Sequence, residues 1–174
     1  MTVPRLTGGV AALITAASLA FTGVAGAHAG QKSFAQTYPR ASQLCTEVAQ
    51  GGGPKHLRKA APRVLVDCAA LQSGFNTARA VILAGQASIR VAKATERAAA
   101  APFCTGAAVH GAPCVRARHK RDRAIDRLEL QRAELARAYF RTIEADRRLF
   151  WRSIRPLPGG RDLREDAPIP VQSD

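Results

Sequence analysis

The sequence predicts an all-α protein: a long antiparallel helical hairpin of coiled-coil type, with a short N-terminal helix packed at its base and two disulfides. Two long segments carry apolar residues at the three- and four-residue spacings of one helical face. A short segment rich in proline and glycine separates them, and the chain has four cysteines. The composition, with 47% hydrophobic and 22% charged residues, excludes collagen, a polar disordered chain and a multi-pass membrane protein.

The first 29 residues have the layout of a secretory signal peptide. Arg5 supplies a positive charge, residues 8–24 are uncharged and mostly apolar, and small-residue cleavage patterns follow at 25–27 and at 27–29. The apolar run of about 17 residues is short for a membrane span, and a retained membrane anchor is the alternative. We therefore expect a protein outside the cytoplasm, secreted or held at the cell surface; which cleavage site is used stays open.

A helical domain is predicted over residues 39–155, after a lead-in at 30–38 that shows no clear period. Pro39 suits the first turn of a helix, and the apolar side chains that follow it share one helical face. The three glycines at 51–53 and Pro54 end this short helix, because glycine frees the backbone and proline lacks an amide donor.

The first long helix is predicted from Pro62 to Pro102. Its apolar and small residues alternate spacings of four and three for more than five heptads, interrupted by a single charge at Glu96. At ~1.5 Å per residue, a helix of about 40 residues is ~60 Å long. The predicted seam consists of Val64, Cys68, Leu71, Phe75, Ala78, Ile82, Gly85, Ile89, Ala92, Glu96, Ala99 and Phe103.

The second long helix is predicted between Pro113 and Pro156. Because the break before it is short, we expect the two helices to fold back on each other with the turn centred near His110; an extended rod that pairs with a second copy is the alternative. This register brings Glu96 near Arg121, where the two could form an ion pair. The predicted apolar stripe consists of Ala117, Ala124, Leu128, Leu135, Ala138, Thr142, Ala145 and Leu149, widened by Ile125, Tyr139, Ile143 and Phe150.

The helical geometry selects one of the three possible pairings of the four cysteines. Cys68 and Cys104 are separated by 36 residues, or ~54 Å along a helix, whereas a disulfide needs Cα atoms within about 7 Å. Cys68 at the base therefore cannot reach Cys104 or Cys114 at the tip. The predicted bonds are Cys45–Cys68 and Cys104–Cys114, and we expect both to be structural.

The positive charge, +13 in total, is concentrated at the two ends of the predicted hairpin. At the tip, six basic residues face only Asp122 and Asp126, and we expect them to bind anions because arginine engages phosphate bidentately. A merely solvated basic surface is the alternative. The tip cluster consists of Arg116, Arg118, Lys120, Arg121, Arg123 and Arg127. The base cluster consists of Lys55, Arg58, Lys59, Arg63, Arg147, Arg148, Arg152 and Arg155.

Residues 156–174 are predicted to be a disordered, proline-rich tail, because they contain Pro168 and Pro170 and almost no periodicity. Acidic residues outnumber basic residues after position 160. The tail could therefore fold back onto the base cluster and compete there with anions.

No pattern in the sequence indicates catalysis. Nucleophile, zinc and phosphate-loop motifs are missing, so we expect no enzymatic activity, no cofactor and no metal site. One alternative is a copper site at His28, which would become the first residue if cleavage followed Ala27. Sequence-specific nucleic-acid binding is not expected, because no aromatic residue is interleaved with the tip arginines.

Three segments resemble parts of small secreted, Ala/Arg-rich helical proteins of high-GC Gram-positive bacteria. They are Tyr38–Cys45 (YPRASQLC), Gly53–Arg58 (GPKHLR) and Phe150–Ile154 (FWRSI). The resemblance implies an exported helical protein and transfers no site or activity.

These observations together predict a secreted helical interaction protein whose basic ends bind an anionic partner. The expected partner is an envelope polymer, lipid headgroups or an acidic protein. A structural, self-associating coiled-coil protein with no ligand site is the alternative, and the sequence leaves the oligomeric state open.

Overall fold

The computed structural model describes residues 30–169; the predicted signal peptide, with His28, and residues 170–174 lie outside the described residues. This part of the chain is helical and contains no strand, so the all-α prediction is confirmed. None of its helices has the length and hydropathy needed to span a membrane. The α-helices are α1 (Phe34–Thr37), α2 (Pro39–Ala49), α3 (Ala61–Ala100) and α4 (Ala112–Ile154).

The predicted hairpin is confirmed, since α3 and α4, of 40 and 43 residues, pack against each other as antiparallel neighbours. Gly85 lies against Leu135 and Gly74 against Asp146. Both pairs are centred on residue 110, near the predicted turn, whereas the predicted pairing of Glu96 with Arg121 is centred between residues 108 and 109. A Cβ at position 85 would overlap Leu135, so glycine is what allows the two helices to approach closely at that level.

The predicted ion pair between Glu96 and Arg121 is not formed. Arg121 donates instead to the neighbouring Asp122, with Nη2 2.7 Å from Oδ1. The ion pair that joins the two helices is Lys93–Glu129. The observed register sets position 96 opposite position 124 and not opposite Arg121.

The hydrophobic core fills the base of the hairpin and thins toward the tip. The α3 seam is buried at every predicted position from Val64 to Ile82. Between Gly85 and Glu96 the seam positions are only partly buried, and Phe103 at the end is 52% exposed. The difference arises because α1, α2 and the C-terminal segment cover the base, whereas the outer half has only two helices.

Near the base, the buried face of α4 contains the predicted widening residues Tyr139, Ile143 and Phe150 but not the central residues of the predicted stripe. Ala138, Thr142, Ala145 and Leu149 are exposed, and Leu149 is 60% exposed. The side chains next to them are buried because Tyr38 and the C-terminal segment also pack on α4, which rotates its buried face by about 100°. The buried residues of this part of α4 are Tyr139, Ile143, Glu144, Arg147, Phe150, Trp151 and Ile154.

Residues 30–38, the predicted lead-in, contribute to the core. The sequence did not predict this contribution, because the segment shows no apolar periodicity. Ser33 caps α1 in a capping box with Gln36. The ring of Phe34 packs edge-on against Tyr38 and Phe75, with centroids 5.4 and 5.7 Å apart. Tyr38 is fully buried, and its hydroxyl donates to the carbonyl oxygen of Ile143 at 2.8 Å.

Both predicted disulfides are present. Cys45–Cys68 joins α2 to α3 at the base with a Cα–Cα distance of 5.8 Å. Cys104–Cys114 closes the tip with a Cα–Cα distance of 4.9 Å. Disulfides of this kind are typical of proteins in oxidising compartments outside the cytoplasm.

The prediction of a disordered tail does not hold for residues 156–169, which pack against the helices. The chain turns at Gly159, where φ is +76°, and forms a short 3-10 turn at Gly160–Asp162. Leu157, Leu163 and Ile169 then contact the core. The segment folds back without regular secondary structure, so its apolar residues have no helical or strand spacing. A search for periodic apolar residues therefore does not identify them.

Replacing Cys45 and Cys68 with serine should lower the free energy of unfolding by about 3 kcal/mol, because the lost bond closes a loop with a sequence separation of 23. The matched control replaces Cys104 and Cys114 with serine. Their sequence separation is only 10, so the free energy of unfolding should fall by a smaller amount. Urea unfolding followed by far-UV circular dichroism measures both. A loss below about 1 kcal/mol for the first pair would contradict a stabilising role for the link between α2 and α3.

Candidate functional site

The tip of the hairpin is a compact turn between α3 and α4. Pro102 lies in a 3-10 turn directly after α3, and Pro113 lies in the first turn of α4. Proline suits a first helical turn because its missing amide would have no partner there. Cys114 is fully buried, so the disulfide to Cys104 lies inside this turn. These features fix the position at which α4 begins and therefore the position of the tip cluster.

The tip cluster occupies the first turns of α4, and its charges are accessible. Arg121 is partly buried and pairs with Asp122, whereas the other five side chains are exposed. Within residues 30–169, no salt bridge joins any of these five to an acid. The structure thus brings all six predicted residues onto one end of one helix and leaves most of their charge uncompensated.

A groove of about 330 Å³ lies between the end of α3 and the start of α4. Arg116, Lys120 and Arg121 line one side, and Glu96 lies on the α3 side. The remaining lining is apolar and includes Phe103. The groove is open to solvent, so it can hold an anionic group or an amphiphile but does not enclose a reacting centre.

Within residues 30–169, no three His, Cys, Asp or Glu side chains are grouped so that they could hold a metal ion. All four cysteines are in disulfides. What the tip offers chemically is positive charge and hydrogen-bond donors.

The base cluster is less available than the sequence suggested. Arg147 is only 6% exposed, so placing it among surface charges was wrong. Arg148 pairs with Glu144, with Nε 2.7 Å from Oε1, and Arg155 pairs with Glu165 of the C-terminal segment. The acidic residues of the folded-back segment and of α4 therefore neutralise part of this end.

A buried polar network that fastens the C-terminal segment was missed by the sequence analysis. Asp166 accepts from the backbone amides of Arg40 and Ala41, at 2.8 and 3.2 Å, and so caps the start of α2. Its carboxylate also accepts from the indole Nε1 of Trp151 at 3.3 Å. Its carbonyl oxygen accepts from Arg147 at 2.7 Å. Acidic residues in the tail were the available signal, but their partners lie far away in sequence.

Glu144 is the carboxylate at the centre of the network on α4. Arg147 donates to both of its oxygens at 2.8 Å, and the amide of Ile169 donates to one at 3.1 Å. The hydrogen bond from Arg147, followed by that from Arg148, lowers the pKa of Glu144 to about 2 and outweighs the opposing effect of burial.

Asp146, two residues further along, has the opposite environment. Its Oδ2 is buried without a hydrogen-bond partner, and burial raises the pKa of this carboxyl. Asp67 and Asp146 both line a second groove between α3 and α4, at the base of the hairpin. Asp67 also has a buried oxygen, Oδ2, without a hydrogen-bond partner. Burial, and then the nearby charge of Asp146, raises the pKa of Tyr38. These groups lie at the base, away from the tip cluster.

Comparison with known proteins adds no assignment: no protein-family profile, curated protein or solved structure matches the chain.

The stabilisation provided by Glu144 should depend on pH. Because folding lowers its pKa from 4.5 to about 2, its contribution is complete above pH 4.5 and is lost as the pH falls toward 2. Glu144→Gln should therefore be clearly less stable than the wild type at pH 7, and the difference should shrink between about pH 4.5 and 2. Urea unfolding across this range measures it.

The matched control is Glu134→Gln, which removes an exposed carboxylate from the same helix. It should change stability little at any pH. If the free energy of unfolding of Glu144→Gln differs from that of the wild type by the same amount from pH 7 to 2.5, the stabilising role of the Glu144 network is contradicted.

Proposed function

We propose that the protein is exported and binds anionic components of the cell envelope through its tip cluster. The signal-peptide pattern of residues 1–29 and the two disulfides support export. Resemblance to small secreted helical proteins is consistent with the same location. The basic composition supports an anionic partner, since a net charge of +13 raises the local concentration of polyanions.

The observation that carries the proposal is the accessibility of the tip charges. Arg116, Arg118, Lys120, Arg123 and Arg127 are exposed and have no acidic partner within salt-bridge distance in the described residues. Guanidinium groups held on one rigid helix can engage phosphate or carboxylate groups without being ordered first.

The arrangement favours a partner with repeated negative charges. The five unpaired side chains extend over three turns of α4, from position 116 to position 127, which is ~16 Å. A surface or polymer that carries many anionic groups can contact several of them at once. A phosphate-containing wall polymer, lipid headgroups and an acidic protein surface all meet this requirement.

Arg118→Glu combined with Arg123→Glu should weaken binding to isolated cell envelopes and to heparin by at least tenfold at low salt, since each reversal replaces attraction by repulsion. The matched control is Arg58→Glu with Lys59→Glu, which changes the net charge equally at the base. Co-sedimentation and salt elution measure both. Equal losses in the two variants would show that net charge, and not the tip cluster, determines binding.

Self-association is the second candidate function, and the outer face of α3 favours it. Val66, Val81 and Val91 are 67%, 59% and 67% exposed and lie on one side of the helix. Between positions 66 and 95, the other exposed residues of this row are uncharged, which is unusual for a chain with 22% charged residues; the exposed Arg63 lies in line with Val81 five turns earlier. They are Ala70, Ser73, Thr77, Ala84, Ser88 and Thr95.

Sedimentation equilibrium at tens of micromolar tests this second function. If the α3 face pairs with another copy, the wild type will be dimeric or larger and the variant with serine at positions 66, 81 and 91 will be monomeric. A monomeric wild type would exclude self-association at these concentrations. The tip double variant serves as the control and should leave the assembly state unchanged.

A further inference from the structure

The hairpin ends in a segment without charged residues. Residues 98–115 contain no Lys, Arg, Asp or Glu, and His110 is their one ionisable side chain outside the disulfide. Phe103 is 52% exposed and Val115 is 44% exposed. We call this segment the apolar cap. Phe103 and Val115 are the sequence neighbours of Cys104 and Cys114, so the disulfide holds both half-exposed apolar side chains at the same extremity of the hairpin.

Basic residues begin directly below the apolar cap on both helices. Arg97 is the last charged residue of α3, and Arg116 and Arg118 are the first of α4. All three are exposed. Apolar residues at an extremity with basic residues behind them correspond to the two layers of a lipid surface, in which acyl chains lie beneath charged headgroups.

The turn holds the apolar cap in one shape. The Cys104–Cys114 bond crosses it, and Pro102 and Pro113 restrict the backbone on either side. Phe103 is therefore presented by an ordered scaffold, and little conformational entropy would be lost on insertion. A flexible loop would have to be ordered on insertion, and the entropy lost would offset much of the free energy gained by burying Phe103.

We propose that the apolar cap inserts among the headgroups of an anionic lipid bilayer, with Phe103 reaching the acyl boundary and the tip cluster binding the surrounding phosphates. This rests on the proposed function and narrows its partner to a lipid surface. A soluble polyanion would engage the arginines but leave Phe103 and Val115 in water. Only a partner with both an anionic and an apolar layer covers both parts of the tip.

The test uses residues 30–174, because the apolar residues 8–24 would bind lipid by themselves. Phe103→Trp provides a reporter, since Trp151 is the one native tryptophan and is only 3% exposed. With vesicles of phosphatidylglycerol and phosphatidylcholine, the new emission should move to shorter wavelength and be quenched by brominated acyl chains. Vesicles of phosphatidylcholine alone should produce neither effect at the same concentrations.

Phe103→Ser should weaken vesicle binding by about tenfold or more, because the apolar contact is lost, and leave heparin binding unchanged. The matched control is Leu130→Ser, which removes an apolar side chain that is 65% exposed and ~22 Å from Val115 along α4. It should bind vesicles like the wild type.

The outcomes separate insertion from the proposed function. If Phe103→Ser and Leu130→Ser bind vesicles equally and the emission of the Phe103→Trp variant does not move, insertion is overturned, although binding lost on charge reversal would still support the tip cluster. If the wild type binds heparin but not anionic vesicles, the lipid partner is overturned. If it binds neither, the proposed function fails as well.

Discussion

The fold depends on the antiparallel contact between α3 and α4, which two disulfides secure near its two ends. Two helices alone form a thin structure that buries little apolar surface. At the base, α1, α2 and residues 156–169 supply the missing cover, and Cys45–Cys68 holds α2 in place. At the tip no further element packs on the pair in the described chain, and Cys104–Cys114 closes the turn instead. Stability therefore decreases from base to tip.

This gradient divides the hairpin into two parts with different packing requirements. The base contains the aromatic rings and the buried network of Glu144, Arg147 and Asp166, whose hydrogen bonds to each other and to the backbone offset the cost of burial. The tip has no such requirement. Its arginines can stay in water, and Phe103 can remain half exposed, because the disulfide and prolines maintain the turn without a large core.

The features predictable from sequence were those governed by helical geometry. The rise per residue alone excluded bonds from Cys68 to the tip, and the seam from Val64 to Ile82 followed from a strict heptad pattern. The α4 face was displaced by one residue because a third element packs on it, and a single-helix pattern does not contain that information. The partners of Arg121 and Asp166 depended on which nearby groups the folded chain brings together. Five of the six tip-cluster residues are exposed, but helical spacing does not specify whether they bind a ligand.

The folded-back C-terminal segment also changes the electrostatic argument. The sequence suggested two basic ends with an acidic tail that could fold back onto the base, and in the structure Arg147 is buried with Glu144 while Arg155 is paired with Glu165. No such segment reaches the tip in the described residues, where the six basic residues lie near only Asp122, Asp126 and Glu96. The positive field is therefore less compensated at the tip than at the base. Since a charged partner is steered by the net field at long range and held by contacts at short range, the end with the least compensated charge should meet an anionic surface first, and that end also carries the apolar cap.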